Sequence, residues 1–500
     1  MSFRVLHPPE VDAYYDILRA FCASSWPNPL MNKPLLTFIM VVTSTTIGNT
    51  ATVQLAEDGT LVVDGTRRFP IGLYESPTDD EYVQEVAKAG FNVMTCRADP
   101  DQLDRAHLHG IGAWVPLGHL PVADEGGKAA LSKEVNAVKH HPALWVWEAP
   151  DEILWNLFWP RVSAFFKERK DLTNRVEAAM TKQPESAETL AGALKRYDDY
   201  AMSERWAEAE AAAVIVREHL GLPPRTDDAA TLSGWHDNVE ILFHKLAEGS
   251  EVVRQLDPGR PIWFNHAPRN EISDLRRINA LADIAGCDIY PVPFNEGLMH
   301  SDIIERHLPA VGAYTRRMAE GAPGKPMWMV LQAFGWSDLQ EPFSPEIYIR
   351  PSYEESRFMA YDAIVNGARG ILYYGSKHLH ETEKNSSFWQ DLKRVTRELA
   401  DFESQLAAPE WKLDLRIDYS PTSSSRDRGV LTAARGNKDD GIIILVNEHV
   451  AGLAFDLHGL DEFEGRALPI VGSWERPIVK NGAIRFGLRG HGVTVIRTQK

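Results

Sequence analysis

Five hundred residues, 44% hydrophobic and 25% charged, suffice for a large core and more than one domain, and they exclude a disordered or fibrous chain. A formal net charge of -17 argues against a nucleic-acid partner and against anionic membrane surfaces, since phosphate-driven binding needs a basic face. Three cysteines, Cys22, Cys96 and Cys287, form no even disulfide framework and no CxxC pair, so Cys96 and Cys287 read as small buried residues on strands.

Residues 1–51 form an N-terminal extension. Met31-Asn32-Lys33, an apolar run over 34–42 and small polar residues up to Ala51 are the parts of a secretory signal. The expectation is a start at Met31, removal of the residues before about Thr52, and a secreted or periplasmic protein. The run is too short to span a bilayer, so stable membrane insertion is not expected. Residues 61–69 read as a hairpin with Asp64-Gly65 at its turn, lying as a lid across the bottom of a barrel.

From residue 70 strands and helices alternate. The strands fall at 70–75, 91–97, 111–117, within 141–152, and at 261–266, 287–292, 326–334 and 370–375. Helices are expected between them and after the last, at 388–405. Eight units without a glycine-rich phosphate loop predict a (β/α)8 TIM barrel over 52–408, with chemistry at the C-terminal strand ends. An Ala- and Glu-rich helical insertion at about 155–230 follows the fourth strand and is expected to rise beside the mouth. From 409 to 500 the pattern turns β-only, predicting a C-terminal antiparallel β-sandwich that packs on the barrel.

The fourth unit concentrates the chemistry. His141 to Glu152 is a short apolar run that ends in Trp147, Glu148, Asp151 and Glu152, as a buried strand does when its carboxylates emerge at the edge of a parallel sheet. A structural strand with a solvated acidic turn reads the same way, and Glu148 reads as buried and paired. Other polar and aromatic residues fall at strand ends: Glu75, Arg97, His119, Asn265, His266, Tyr290, Gln332, Trp336 and Tyr374. Asn265 and His266 suit sugar hydroxyls, with a satisfied core histidine as the alternative for His266. Trp336 suits stacking on a sugar face. No residues show convincing metal-ligand spacing, and no cofactor is expected.

Trp147 followed by an acidic pair ending in Glu152 resembles the large clan of (β/α)8 retaining glycoside hydrolases, in which a Trp precedes Asn-Glu and that Glu is the general acid/base. The resemblance covers roughly 69–405. It implies a carbohydrate substrate and a Glu152 whose proton affinity is raised by apolar neighbours such as Trp147 and Trp155. Two residues depart from the pattern. Asp151 stands where the clan has Asn, and Gln332 stands where it has the nucleophilic Glu of strand seven; a neutral amide cannot form the glycosyl ester. Three explanations stay open. A second carboxylate, from Glu75, Asp288, Glu296 or Glu341, acts at about 5–5.5 Å (retaining) or about 6.5–9.5 Å (inverting). Alternatively Asp151 and Glu152 act together on a 2-acetamido sugar, as in the β-hexosaminidase-like families. In the third, the barrel binds carbohydrate without cleaving it.

Overall fold

The computed structural model describes residues 50–182, 187–203, 205–224, 232–268, 270–293, 305, 307–339, 349–378, 387–421 and 429–499. Residues 31–49 of the expected signal, Glu296 and Glu341 lie outside them. Among the described residues no helix is long and apolar enough to cross a membrane.

Eight parallel strands close into a ring in chain order: β4 (Ile71–Leu73), β5 (Val93–Thr95), β6 (Gly112–Pro116), β7 (Leu144–Glu148), β8 (Ile262–His266), β9 (Ile284–Ile289), β10 (Met327–Gln332) and β11 (Ala368–Tyr374). The expected TIM barrel is therefore present. Helices α1 (Asp80–Lys88), α2 (Pro100–Leu108) and α3 (Glu125–Val138) come after the first three barrel strands. Each opens on an aspartate cap, Asp79, Asp99 or Asp124, whose carboxylate accepts an otherwise orphaned backbone N–H of the first turn.

Three short antiparallel strands, β1 (Val53–Leu55), β2 (Leu61–Val63) and β3 (Thr66–Arg68), precede the ring. Val53, Leu61 and Val63 share one apolar cluster with Trp145, Val93 and Ile284, so this small sheet closes the N-terminal end of the barrel. Asp64 (φ 49°) and Gly65 (φ 76°) both take the left-handed conformation that a two-residue hairpin of this twist requires.

Three tryptophans fill the lumen. Trp114 of β6, Trp263 of β8 and Trp328 of β10 are each fully buried, with centroids 5.9 Å apart for the first pair and 5.7 Å for the second. They come from alternate strands, as layers of a barrel interior do. Burying an indole contributes about 5 kcal/mol of transfer free energy. Their bulk leaves space only for hydrogen at neighbouring inward positions. A Cβ on Gly286 would lie 2.5 Å from Trp263 Nε1 and closer still to the Trp328 carbonyl, and one on Gly370 would lie 2.8 Å from Trp328 Cδ1. This corrects the expected sixth strand at 287–292. Ala285-Gly286 looks like a loop, but the glycine is a close-approach position inside β9, which begins at Ile284.

After β8 come α8 (Ile272–Asn279), then α9 (Ala310–Gly321) after β9 and α10 (Tyr353–Val365) after β10. Helix α11 (Ser387–Asp401) and the short α12 (Glu403–Leu406) come after β11, where a single helix was expected. Beyond them lie two three-stranded antiparallel sheets. One orders β12 (Arg416–Tyr419), β15 (Leu453–His458) and β16 (Ala483–Leu488). The other orders β13 (Val430–Gly436), β14 (Gly441–Asn447) and β17 (Val493–Arg497). Ile443, Leu445 and Ile496 of one meet Phe455, Leu457 and Ile484 of the other in a common core.

Residues 152–245 form a separate compact unit. It contains α4 (Ile153–Lys182), α5 (Ala187–Met202), α6 (Trp206–His219) and the start of α7 (Trp235–Leu256). Phe165 of α4 packs at 5.5 Å from both Tyr197 of α5 and Trp206 of α6, which gives this helical unit its own apolar centre.

Two glycine substitutions separate crowding from backbone conformation. Gly286→Ala is expected to cost about 3 kcal/mol or more, because backbone and indole must both move. Gly65→Ala, whose added Cβ meets nothing within 4 Å, should cost only about 1 kcal/mol through its positive φ. Urea denaturation of the two variants measures the difference.

Candidate active site

Strand parity decides which side chains reach the mouth. On β4 the run ends at Leu73, and the next residue, half-buried Tyr74, lies over the indoles, 5.0 Å from Trp114 and 5.9 Å from Trp263. Its hydroxyl donates to Glu148 Oε1 at 2.6 Å. Glu148 is the last residue of β7 and is 1% exposed. Burial pushes its carboxyl well above the usual carboxylate range, and the nearby charge of Asp151 pushes the same way, against the pull of the Tyr74 hydrogen bond. Burial, then Glu148 and Asp151, raise the Tyr74 phenol as well. Glu148 therefore holds its proton more tightly than an ordinary carboxylic acid does. The expectation that it is buried and paired is met, and its partner is Tyr74.

Three residues on, Asp151 is exposed and accepts a hydrogen bond from Asn265 Nδ2 at 2.9 Å. Asn265 belongs to β8 and is itself buried. An amide from one strand therefore braces a solvent-facing carboxylate from the end of its neighbour. Beside them the rings of Tyr290, Phe334, Trp336 and Tyr374 cluster, with Tyr290 at 5.1 Å from Phe334, 6.2 Å from Trp336 and 6.0 Å from Tyr374. Tyr374 also lies 6.0 Å from Tyr74, so the aromatic cluster and the acidic group share one rim.

Two residues missed in the sequence hold that rim in shape. Asp338 accepts from the backbone N–H of Gly335 at 2.6 Å and from Arg350 Nε and Nη2 at 2.8 and 2.7 Å. Its side chain is 0% exposed and that of Arg350 4%. This buried bidentate pair fixes the short 3-10 turn Trp336–Leu339, and with it the half-buried Trp336 ring. Spacing alone does not mark the pair, because the two residues stand 12 positions apart in the sequence.

Gln332 ends β10, but its amide faces the backbone. Oε1 accepts from Val292 N at 2.9 Å, while Nε2 donates to Val292 O at 2.5 Å and to Phe334 O at 3.0 Å. The fully buried side chain clamps the loop after β9 to the end of β10.

Several expected site residues lie elsewhere. Trp147 is a correction: it is fully buried, and its indole donates to Asp257 Oδ2 at 2.9 Å, the carboxylate that Arg260 also engages. It turns to the outside of the ring because Glu148, its neighbour in the strand, turns in. His266 is a second correction. It comes directly after inward Asn265, is 0% exposed, and places Nε2 at 2.9 Å from Asn279 Oδ1 of α8. Asn279 spends its own N–H on the Gly321 carbonyl, so the imidazole donates from Nε2. Burial depresses its pKa to about 4. Exposed His119 lies 3.4 Å from Glu134 of α3, on the helical ring. Arg97 is exposed in the loop after β5. Glu75 is engaged at both oxygens, by the Ser376 hydroxyl and by the Tyr82 hydroxyl of α1 at 2.6 Å. Asp288 is buried within β9, next to Val330 of β10.

Glu152 adjoins Asp151 in the chain and opens the helical unit, its carbonyl accepting from Asn156 N at 2.9 Å. Its φ of 47° is a left-handed conformation that a non-glycine residue adopts only at a cost of about 1 kcal/mol or more.

Gln332→Glu exchanges two N–H donations for carboxylate–carbonyl repulsion. It should destabilise the fold by about 2–4 kcal/mol, as thermal unfolding will test. The folded-state pKa of His266 lies below its ordinary 6.5. Its stabilising contribution is therefore complete above pH 6.5 and is lost as pH falls towards 4, about 3 kcal/mol in total. His266→Gln should flatten the acid limb of a Tm–pH curve.

No family profile matches the chain, and no curated protein matches it in sequence. Solved structures do match in fold. A glycoside hydrolase family 5 protein from Bacteroides vulgatus superposes with a TM-score of 0.51 at 12% identity, over 93% of this chain and 95% of that one. A catalytic mutant of a GH42 beta-galactosidase from G. stearothermophilus gives 0.50 at 10% identity, over 90% and 100%. Another structure described as a glycoside hydrolase gives 0.50 at 11%, over 90% and 97%. Barrel and C-terminal β domain together thus share an architecture found in solved glycoside hydrolases.

Proposed function

We propose that the protein is a glycoside hydrolase acting on an oligo- or polysaccharide, with Glu152 as general acid/base. The observation that carries this reading is the rim itself: an exposed carboxylate, Asp151, braced by Asn265 and bordered by Tyr74, Tyr290, Trp336 and Tyr374. Sugars present hydroxyl edges and apolar C–H faces, and such a rim offers acceptors for the first and flat rings for the second. The fold of the solved glycoside hydrolases and the left-handed backbone of Glu152, next to Asp151 in the chain, support the same assignment.

In this mechanism Glu152 delivers its proton to the departing glycosidic oxygen. Gln332, held by backbone on three sides, supplies no nucleophile. The second role falls to Asp151, either orienting the carbonyl of a 2-acetamido sugar for internal attack or activating a water. Secretion or export to the periplasm is part of the proposal and rests on the apolar run at 34–42. A non-catalytic carbohydrate-binding barrel is the second reading, and the occupied amide of Gln332 is what favours it.

A panel of aryl glycosides with and without the 2-acetamido group tests both. Glu152→Gln should lower kcat by about 10²–10⁴-fold with little change in sugar affinity. Cleavage restricted to the acetamido substrates assigns Asp151 the orienting role. Undiminished turnover in Glu152→Gln removes that residue from the mechanism, and binding with no turnover of any substrate selects the non-catalytic reading.

A further inference from the structure

Where the C-terminal sheets meet α10 and α11, the surface opens into a cleft of about 450 Å³, within the range of small-molecule sites. Tyr353, Arg357 and Glu398 line it from the helices, and Glu475, Arg485 and Phe486 from the β domain. Its floor is rigid. Arg357 Nη2 lies 2.7 Å from Glu398 Oε1, each side chain 13% exposed, and Arg357 Nη1 donates to the Val493 carbonyl at 2.9 Å. The Tyr353 and Tyr361 hydroxyls donate to Glu398 at 3.3 and 2.8 Å. Two guanidinium groups are matched by two carboxylates among these residues, so the cleft attracts neither anions nor cations as a class. Donors, acceptors and half-buried rings on one balanced wall suit a neutral, polyhydroxylated ligand.

A second observation comes from the rim. The turn over 470–475 is closed by Ser473 N to Ile470 O and Ile470 N to Glu475 O, both 3.2 Å, with Gly472 at φ 73°. It carries Trp474, whose relative exposure is 101%, between the lining residues Ser473 and Glu475. An indole held wholly in water adds no burial to the fold. A flat apolar ring on the turn that supplies Ser473 and Glu475 to the cleft offers a saccharide a C–H contact, and the polar wall offers partners for its hydroxyls.

We propose that this cleft and Trp474 form a second carbohydrate-binding site, separate from the barrel mouth, that takes a segment of a neutral glycan chain. The site anchors the protein on a polymer through the β domain.

Native affinity gels of the full chain containing soluble galactan, xylan, mannan or mixed-linkage β-glucan test the assignment. At least one polymer should retard the wild-type protein. Trp474→Ala should weaken that retardation by about tenfold. Arg485→Ala should weaken it to a lesser degree, and turnover of a small aryl glycoside by both variants should stay at the wild-type level. Glu152→Gln should be retarded like the wild type, which separates failure here from failure of the catalytic reading. The proposal is overturned if no polymer retards the protein, or if retardation survives both β-domain substitutions. A loss through Glu152→Gln alone also overturns it. So does a lower sedimentation coefficient for Trp474→Ala than for the wild type, since the indole would then be covered by a second copy of the chain.

Discussion

The contact between Tyr74 and the lumen indoles is the constraint from which the mouth is built. Trp114, Trp263 and Trp328 fill the barrel so fully that its floor is fixed, and the phenol above them has little freedom of position. Its hydroxyl then determines where Glu148 sits. In that dry environment burial raises the proton affinity of Glu148, and the charge of Asp151 nearby raises it further. Two acids three residues apart thus come to differ in environment, one buried under a phenol and the other facing solvent.

Around this centre the rim is stiffened by groups that touch backbone. Gln332 joins the loops after β9 and β10, and Asp338 with Arg350 joins the loop after β10 to the approach to α10. Each leaves a ring or a strand end in a defined place: Tyr290 and Phe334 flank the Gln332 clamp, and Trp336 rides on the Asp338 turn. Such positioning groups are what a recognition surface built on loops requires, because loop backbone has few partners of its own.

The ring of eight units was legible in the sequence because strands buried on both faces read as continuous apolar runs between helical periods. The same property hid the site. A run such as Leu144-Trp145-Val146-Trp147-Glu148 has no polar alternation to show which residues face the lumen, and a shift of one position exchanges the two sides. The sequence therefore places Trp147 and His266 at the site alongside their neighbours, whereas Glu148 and Asn265 are the residues that face it. Tyr74 carries no such signal, because Glu75 one residue on is the more conspicuous polar group at that strand end. The glycines of the lumen were illegible as well, since nothing local distinguishes a glycine under an indole from one in a turn.

Arg357 reaches from a barrel helix to a carbonyl on β17, while Arg316 of α9 meets Glu448, just past β14. Detaching the last hundred residues would strip both arginines of these partners and lay bare the helix faces that β13, β14 and β17 cover. The β domain is accordingly not a severable appendage on a self-sufficient barrel, and any grip it took on a polymer would pass to the barrel through these two arginines.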